Sequence, residues 1–258
     1  MLDLSTMIIE IHPYEGEQNN VGLCNKLRTI ISYLYYCDIK DYKLKVVWDY
    51  FYTLFPTILD NSLFTMEQSN ISYGPPLFYP LGESNNYRGG CNCDISVDFY
   101  SKIFPFGKYF NMLIPNHEIK QTIDSFQNLE HSFGVHIRQT DFIHFSKSNG
   151  LFLPTVDDYI KKIDVLLEEN NSFYFTTDES ATYKTIKDRY GSKVFYIESK
   201  ELNRNNVKCF DYAYIDCVLL SKTKFILGNV NSSFSYLSSK ISNKKLITYN
   251  GSGWSEYV

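Results

Sequence analysis

No stretch of this sequence is apolar for the roughly 20 consecutive residues that a membrane-spanning helix takes, and residues 1–10 lack the basic start and apolar run of a secretory signal. The expectation is therefore a cytoplasmic protein with no integral membrane segment. Basic charge is also short: 25 Lys and Arg stand against 29 Asp and Glu, a net charge of −4. No overall positive field draws the chain onto nucleic acid, and none is expected as a partner. Cysteine is present but unpatterned, with six residues at 24, 37, 91, 93, 209 and 217 that form no Cys-x-x-Cys pair and no zinc spacing. Reduced thiols and no metal site are expected. A Gly-x-Gly-x-x-Gly run is missing too, which argues against a dinucleotide cofactor.

What the chain does have is alternation. At 258 residues it is long enough for one large domain or two small ones, and its 17% aromatic content mostly serves cores. "TMIIEIH" (residues 6–12) reads as a first strand, and "VGLCNKLRTIISYLYYC" as a helix with apolar residues at 23, 27, 30, 31 and 34, entered at Gly22. "KLKVVWDYF" reads as a second strand ending at Asp49, and "FPTILDNSLF" as loop and short helix. Prolines 75, 76, 80, 105 and 115 mark the irregular part of the chain, and "LGESNNYRGGCNCD" within it reads as loop. Further on, "NHEIKQTIDSFQNLEH" is a helix, and "FGVHIR" a strand followed by a loop. "LPTVDDYIKKIDVLLEEN" then reads as a helix capped by Thr155 with Asp157 and Asp158 in its first turn. Strands "SFYFTTDE", "KVFYIE", "KFILGN" and "KKLITYN" alternate with helices "SATYKTIKDRYG", "KCFDYAYIDCVLLSK" and "SSFSYLSSKI", the first of these stopped by Gly191. Strands alternating with helices predict parallel βαβ units in an α/β protein.

In such sheets ligands gather at the carboxyl ends of strands. Three strands of the second half end there in polar clusters, "HIRQTD", "TTDE" and "GNVNSS". Arg138 offers a planar fork suited to two phosphate oxygens. Ser232 and Ser233 stand where a helix begins, either as plain caps or as part of a phosphate cradle of backbone amides. Asp178 suits an acceptor role toward a ribose or base, and equally a helix cap. Together the clusters point to a nucleoside diphosphate site. His12, His117 and His131 show no partner pattern and read as surface or packing residues.

"HIRQTD" resembles the His-x-Arg-x-x-Asp motif of the fucosyltransferase superfamily, which takes in α1,2-, α1,6- and protein O-fucosyltransferases. "VGLCNKLRTIISYLYYC" resembles that superfamily's N-terminal Gly-x-x-Asn helix entrance. "FYFTTDES" resembles its strand ending in Thr-Asp-Asp or Thr-Asp-Glu, and "DCVLLSKTKFILGNVNSSFSYLSS" its closing motif. The four occur in the right order over most of residues 20 to 240.

The resemblance implies a GT-B-like fold of two facing Rossmann-like domains with mainly parallel sheets: residues 1–130 on the acceptor side, residues 131–258 binding the nucleotide sugar. It implies an inverting, metal-independent glycosyltransferase moving fucose from GDP-fucose, its donor substrate and only small-molecule need, to a hydroxyl of a glycan acceptor. Arg138 would hold the β-phosphate, and His136 would lie near base or ribose with Asp178. Ser232, Ser233 and Phe234 would close around the phosphates, and Gly22, Asn25 and Arg28 would face the cleft from the first domain. Several α1,6-type members have a second Arg where this chain has Gln139, so the same fold with another deoxyhexose or pentose donor stays open. So does a catalytically silent module that binds glycan or nucleotide. Asp141 is a candidate general base, or else orients its loop; His144 and Asp49 are the other candidates.

Overall fold

In a computed structural model, residues 8–11, 22–40, 43–46, 49–55, 57–58, 105–148, 150–198, 200–203 and 206–257 are described. The loop expected at residues 81–94 lies outside them. The chain divides into two compact units, Met1–His117 and Glu118–Val258.

The first unit begins with a βαβ element. Strand β1 (Ile8–Ile11) pairs in parallel with β2 (Lys43–Val46), and helix α1 (Leu23–Lys40) connects them. Leu23, Leu27, Ile30, Ile31 and Leu34 are buried, so the helical spacing marks the packed face. The second strand is described over Lys43–Val46, and Asp49, expected as its end, instead opens helix α2 (Asp49–Leu54). Acidic residues favour a helix N-terminus, which competes here with aromatic strand propensity. Two short strands, β3 (Thr57–Ile58) and β4 (Leu113–Ile114), pair antiparallel on either side of α3 (Phe106–Phe110). Lys108 and the Tyr109 hydroxyl both donate to Asp38 Oδ2, at 2.5 and 2.6 Å, tying α3 to α1.

Helix α4 (His117–Ser125) begins at the division between the units, and β5 (Phe133–Ile137) follows in the second. The residues after β5, expected as loop, form helix α5 (Thr140–Ser148). Helix α6 (Val156–Glu169) carries the expected capping box: Thr155 Oγ1 accepts from the Asp158 amide at 3.2 Å, and Asp158 Oδ2 accepts from the Thr155 amide at 2.9 Å. Then come β6 (Phe173–Thr177), α7 (Ser180–Tyr190), β7 (Val194–Phe195), α8 (Lys208–Ser221), β8 (Phe225–Gly228), α9 (Ser233–Ile241), β9 (Lys245–Tyr249) and β10 (Trp254–Glu256). Gly191 closes α7 at φ 53°, a left-handed position that glycine fills without strain. Strand β10 has no counterpart among the expected elements.

The sheet order is β10-β9-β8-β5-β6-β7, with every pairing parallel except that of β10 with β9. From β5 the chain moves outward to β6 and β7, then returns to lay β8 on the other side. The strand order therefore reverses between β5 and β8. Open α/β sheets hold ligands outside the carboxyl ends of the strands at such a reversal.

The two faces of this sheet differ. Phe133, Val135, Ile137, Phe173, Phe175 and Leu227 pack with Tyr159, Ile163, Ile186 and Tyr190 into an apolar core. Each such large side chain taken fully out of water contributes about 1.5–3 kcal/mol. The opposite face meets α8 and α9 through Ile226 and Leu246 together with small and polar residues. At Gly134 an added Cβ would lie 2.8 Å from both Leu220 Cδ2 and Thr223 Oγ1. The Gly134→Ala variant is therefore expected to lose about 1–3 kcal/mol to overpacking. Urea denaturation checks this, and an unchanged midpoint would show that α8 is not held this tightly.

Candidate functional site

The site is built where β5, β6 and β8 end side by side. Arg138 follows β5 directly, and its backbone amide donates to Asn229 Oδ1, 2.8 Å away on the residue that follows β8. The next amide, of Gln139, donates to Asp178 Oδ1 at 2.8 Å, on the residue that follows β6. Thr140 Oγ1 donates to the other Asp178 oxygen at 2.5 Å. Two consecutive amides are thus fastened by side chains from the strands on either side. Arg138 is held at the reversal point, half-buried.

Asp178 therefore secures the turn into α5. It does not cap the helix that follows it: the N-cap position of α7 is Glu179, with no side-chain capping bond. Ser232 does cap, its hydroxyl accepting from the Ser235 amide at 3.4 Å. Ser233 opens α9 just beyond β8, so the N-terminus of this helix stands at the same edge as Arg138. A helix N-terminus presents free amides and a positive dipole end to an anion.

His136, the fourth residue of β5, is buried with its ring 4.6 Å from that of Phe234, and its Nδ1 lies 2.7 Å from Ser235 Oγ. Burial, reinforced by the Arg138 and Lys200 charges, pushes its pKa well below the usual histidine value of 6.5. The imidazole is neutral at neutral pH.

Next to it lies a cluster that the sequence reading missed. Thr176, the register partner of His136, donates to Asp216 Oδ2 at 2.7 Å, and Tyr174 donates to Asp216 Oδ1 at 2.6 Å. Lys200 Nζ donates to the same carboxylate at 2.5 Å and to Thr176 Oγ1 at 2.8 Å, and sits 4.7 Å over the Tyr183 ring. Both charged side chains are about 5% exposed or less. Burial presses the Lys200 pKa down, but Asp216 and Tyr183 outweigh it and the net direction is up. Asp216 sits within an otherwise apolar helix run, "YIDCVLL", and that isolation was the available signal.

The other expected site residues are more scattered. Asp141 falls in the first turn of α5, with its side chain outside the described residues, and His144 is exposed one turn later on the same helix. Gly22 precedes α1, and Asn25 and Arg28 belong to it, in the first unit; Asn25 is half-buried and Arg28 buried. Asp49 also belongs to the first unit. The sequence reading overlooked Asn229 and Ser235, although both lie in or beside the quoted "GNVNSS". Among the described residues no group of three or more His, Cys, Asp or Glu is placed to hold a metal ion, and no helix is long and apolar enough to cross a membrane.

The second unit's reversal in a mainly parallel six-stranded sheet defines a doubly wound α/β protein, and the whole chain has the GT-B-like architecture of fucosyltransferases of known structure. It is similar over 98% of both chains to the fucosyltransferase NodZ from Bradyrhizobium, with a TM-score of 0.62 at 13% identity. The NodZ α-1,6-fucosyltransferase structure soaked with GDP-fucose matches with a TM-score of 0.58 at 13% identity, again over 98% of each chain. POFUT1 in complex with GDP matches with a TM-score of 0.55 at 14% identity, over 94% of this chain and 96% of that one. No family model matches the sequence, and no curated protein does.

Two outcomes follow from this geometry. With the folded pKa of His136 depressed, the unfolded chain takes up a proton as pH falls below about 6.5 while the folded chain does not. The stabilisation is complete above that pH and is lost as pH falls toward the folded pKa, by at most about 1.4 kcal/mol per pH unit. Denaturation at pH 7.5 and 5.5 should show a smaller loss in His136→Gln than in the wild type; equal losses would count against a buried neutral imidazole. Lys200→Met leaves the Asp216 charge buried and should cost about 3–5 kcal/mol, read from the denaturation midpoint. A cost below 1 kcal/mol, the range of exposed pairs, would show the pair to be solvated.

Proposed function

We propose that this chain is an inverting, metal-independent glycosyltransferase that transfers fucose from GDP-fucose to a hydroxyl of a glycan. One observation carries the reading. A guanidinium-bearing residue, with its backbone pinned on both sides, and the N-terminus of α9 meet at the carboxyl edge of adjacent strands where the sheet order reverses. Both features favour a diphosphate. The likeness in fold to NodZ soaked with GDP-fucose and to POFUT1 with GDP supports the choice of nucleotide and sugar.

In this reading an acceptor hydroxyl attacks the anomeric carbon from the face opposite the diphosphate. The new carbon–oxygen bond forms as the bond to the β-phosphate oxygen breaks, and the configuration inverts. Negative charge grows on the departing GDP, and Arg138 binds it more strongly at the transition state than in the ground state. The acceptor proton passes to a base, for which Asp141, in the turn after Arg138, is our choice over His144 and Asp49. His136 lies at the base or ribose, with Asp178 beside it. Ser232, Ser233 and Phe234 close on the phosphates. The family resemblance assigns Gly22, Asn25 and Arg28, of the first unit, to donor binding as well. No cofactor is needed beyond the donor.

A thermal-shift panel of GDP-fucose, GDP and other GDP- and UDP-sugars tests the donor, since a ligand that binds only the folded state raises its melting point. GDP-fucose should give the largest shift; a larger one from another nucleotide sugar would replace fucose in the reading. In the Arg138→Ala variant transfer or donor hydrolysis should fall by about 10²–10³. Undiminished turnover in that variant would remove the proposed mechanism. Binding without turnover in the wild type would make the chain a silent binding module.

A further inference from the structure

The contact between Ser235 and His136 has a direction. Ser235 Oγ has two neighbours, the Asn229 backbone nitrogen at 3.3 Å and His136 Nδ1 at 2.7 Å. A backbone amide only donates, so the hydroxyl accepts there. Its single proton then has one acceptor among the described residues, His136 Nδ1. A neutral imidazole that accepts at Nδ1 carries its own proton on Nε2.

Ser235 is well fixed for this task. It is fully buried in the first turn of α9, and its own amide donates to Ser232 Oγ at 3.4 Å. Gly228 makes the close approach possible, because a Cβ there would stand 2.5 Å from Ser235 Oγ. His136 Nε2 has no hydrogen-bond partner among the described residues, yet it is not among the sealed-off side-chain atoms that lack one. It therefore keeps an opening at the edge of the sheet, with Phe234 across the ring. The depressed pKa of His136 keeps the imidazole in this single-proton form.

We propose that Ser235 is a positioning residue that locks His136 as the Nε2–H tautomer, making it a hydrogen-bond donor, and not a base, toward the bound nucleotide. This rests on the donor-site reading above. It requires the nucleotide to offer an oxygen or other acceptor at that point. A group that can only donate would face the N–H unpaired, and a buried unpaired donor costs more than a hydrogen bond gains.

The first test needs no activity. Long-range ¹⁵N–¹H spectra of histidine-labelled protein, with His136 assigned among the five histidines by its absence in His136→Gln, report which ring nitrogen is protonated. A bare Nδ1 and a protonated Nε2 are expected; the reverse would overturn the proposal. The second uses GDP as the probe in calorimetric titration. Ser235→Ala should bind GDP about fivefold to tenfold more weakly and show a mixed tautomer, while Ser235→Thr, which keeps the hydroxyl, should stay within about twofold of wild type. Equal weakening in both variants, with the wild-type tautomer kept, would mean packing alone and would overturn it. If the wild type binds no GDP, the donor-site reading fails and the recognition role with it. The ring spectrum then judges the Ser235–His136 geometry by itself.

Discussion

The arrangement depends on the two adjacent peptide groups at which the chain leaves the sheet after β5. Where β5 ends, the amides of Arg138 and Gln139 lose their strand partners. They are taken up by Asn229 from one neighbour and Asp178 from the other. Charge-assisted and buried hydrogen bonds of this kind cost more to break than they contribute on balance, because the orphaned group is left without water. Arg138 is thereby placed by backbone bonding to two strands. A backbone fixed in advance lowers the ordering cost of meeting a diphosphate.

This fastening explains why the sheet has two unlike faces. One is packed with Phe, Val, Ile and Leu against α6 and α7, and it carries the hydrophobic stabilisation of the unit. The other gives up apolar burial for Gly134, His136, Tyr174, Thr176 and Gly228. In return it sets α9 close enough for Ser235 to reach His136, and α8 close enough for Asp216 to gather Tyr174, Thr176 and Lys200. A buried ion pair is weak evidence for stability. Its cost is borne here because the apolar face opposite supplies the cohesion.

The legible part of the chain was the part governed by period and punctuation. The 3.6-residue spacing in α1, the Thr155 cap and the Gly191 stop each follow from local chemistry, and the structure carries all three. The turn into α5 was read as loop because nothing local announces it: its anchor, Asp178, lies a whole helical segment away in sequence. Asp49 was misplaced for the opposite reason, since an aromatic run favours a strand until an acidic residue starts a helix. Within the site, Arg138, His136 and Ser232 announce themselves by charge or by position at a strand or helix end. Asn229, Ser235 and Lys200 do not, because each acts through a partner brought near only by the folded sheet.

That distinction bears on what kind of site this is. The residues readable from sequence are those that would touch a ligand directly, and they are few. The residues that only the fold brings into place hold backbone amides, fix a tautomer, or neutralise a buried charge. They form a continuous polar layer under α8 and α9, running from Asn229 through Ser235 and His136 to Thr176 and Asp216. Apolar residues of similar size would often be at least as stable there, so what a satisfied polar layer supplies is a rigid, single arrangement. In the reading proposed above, the rim it supports keeps donors and the Arg138 cation in place when a charged ligand arrives.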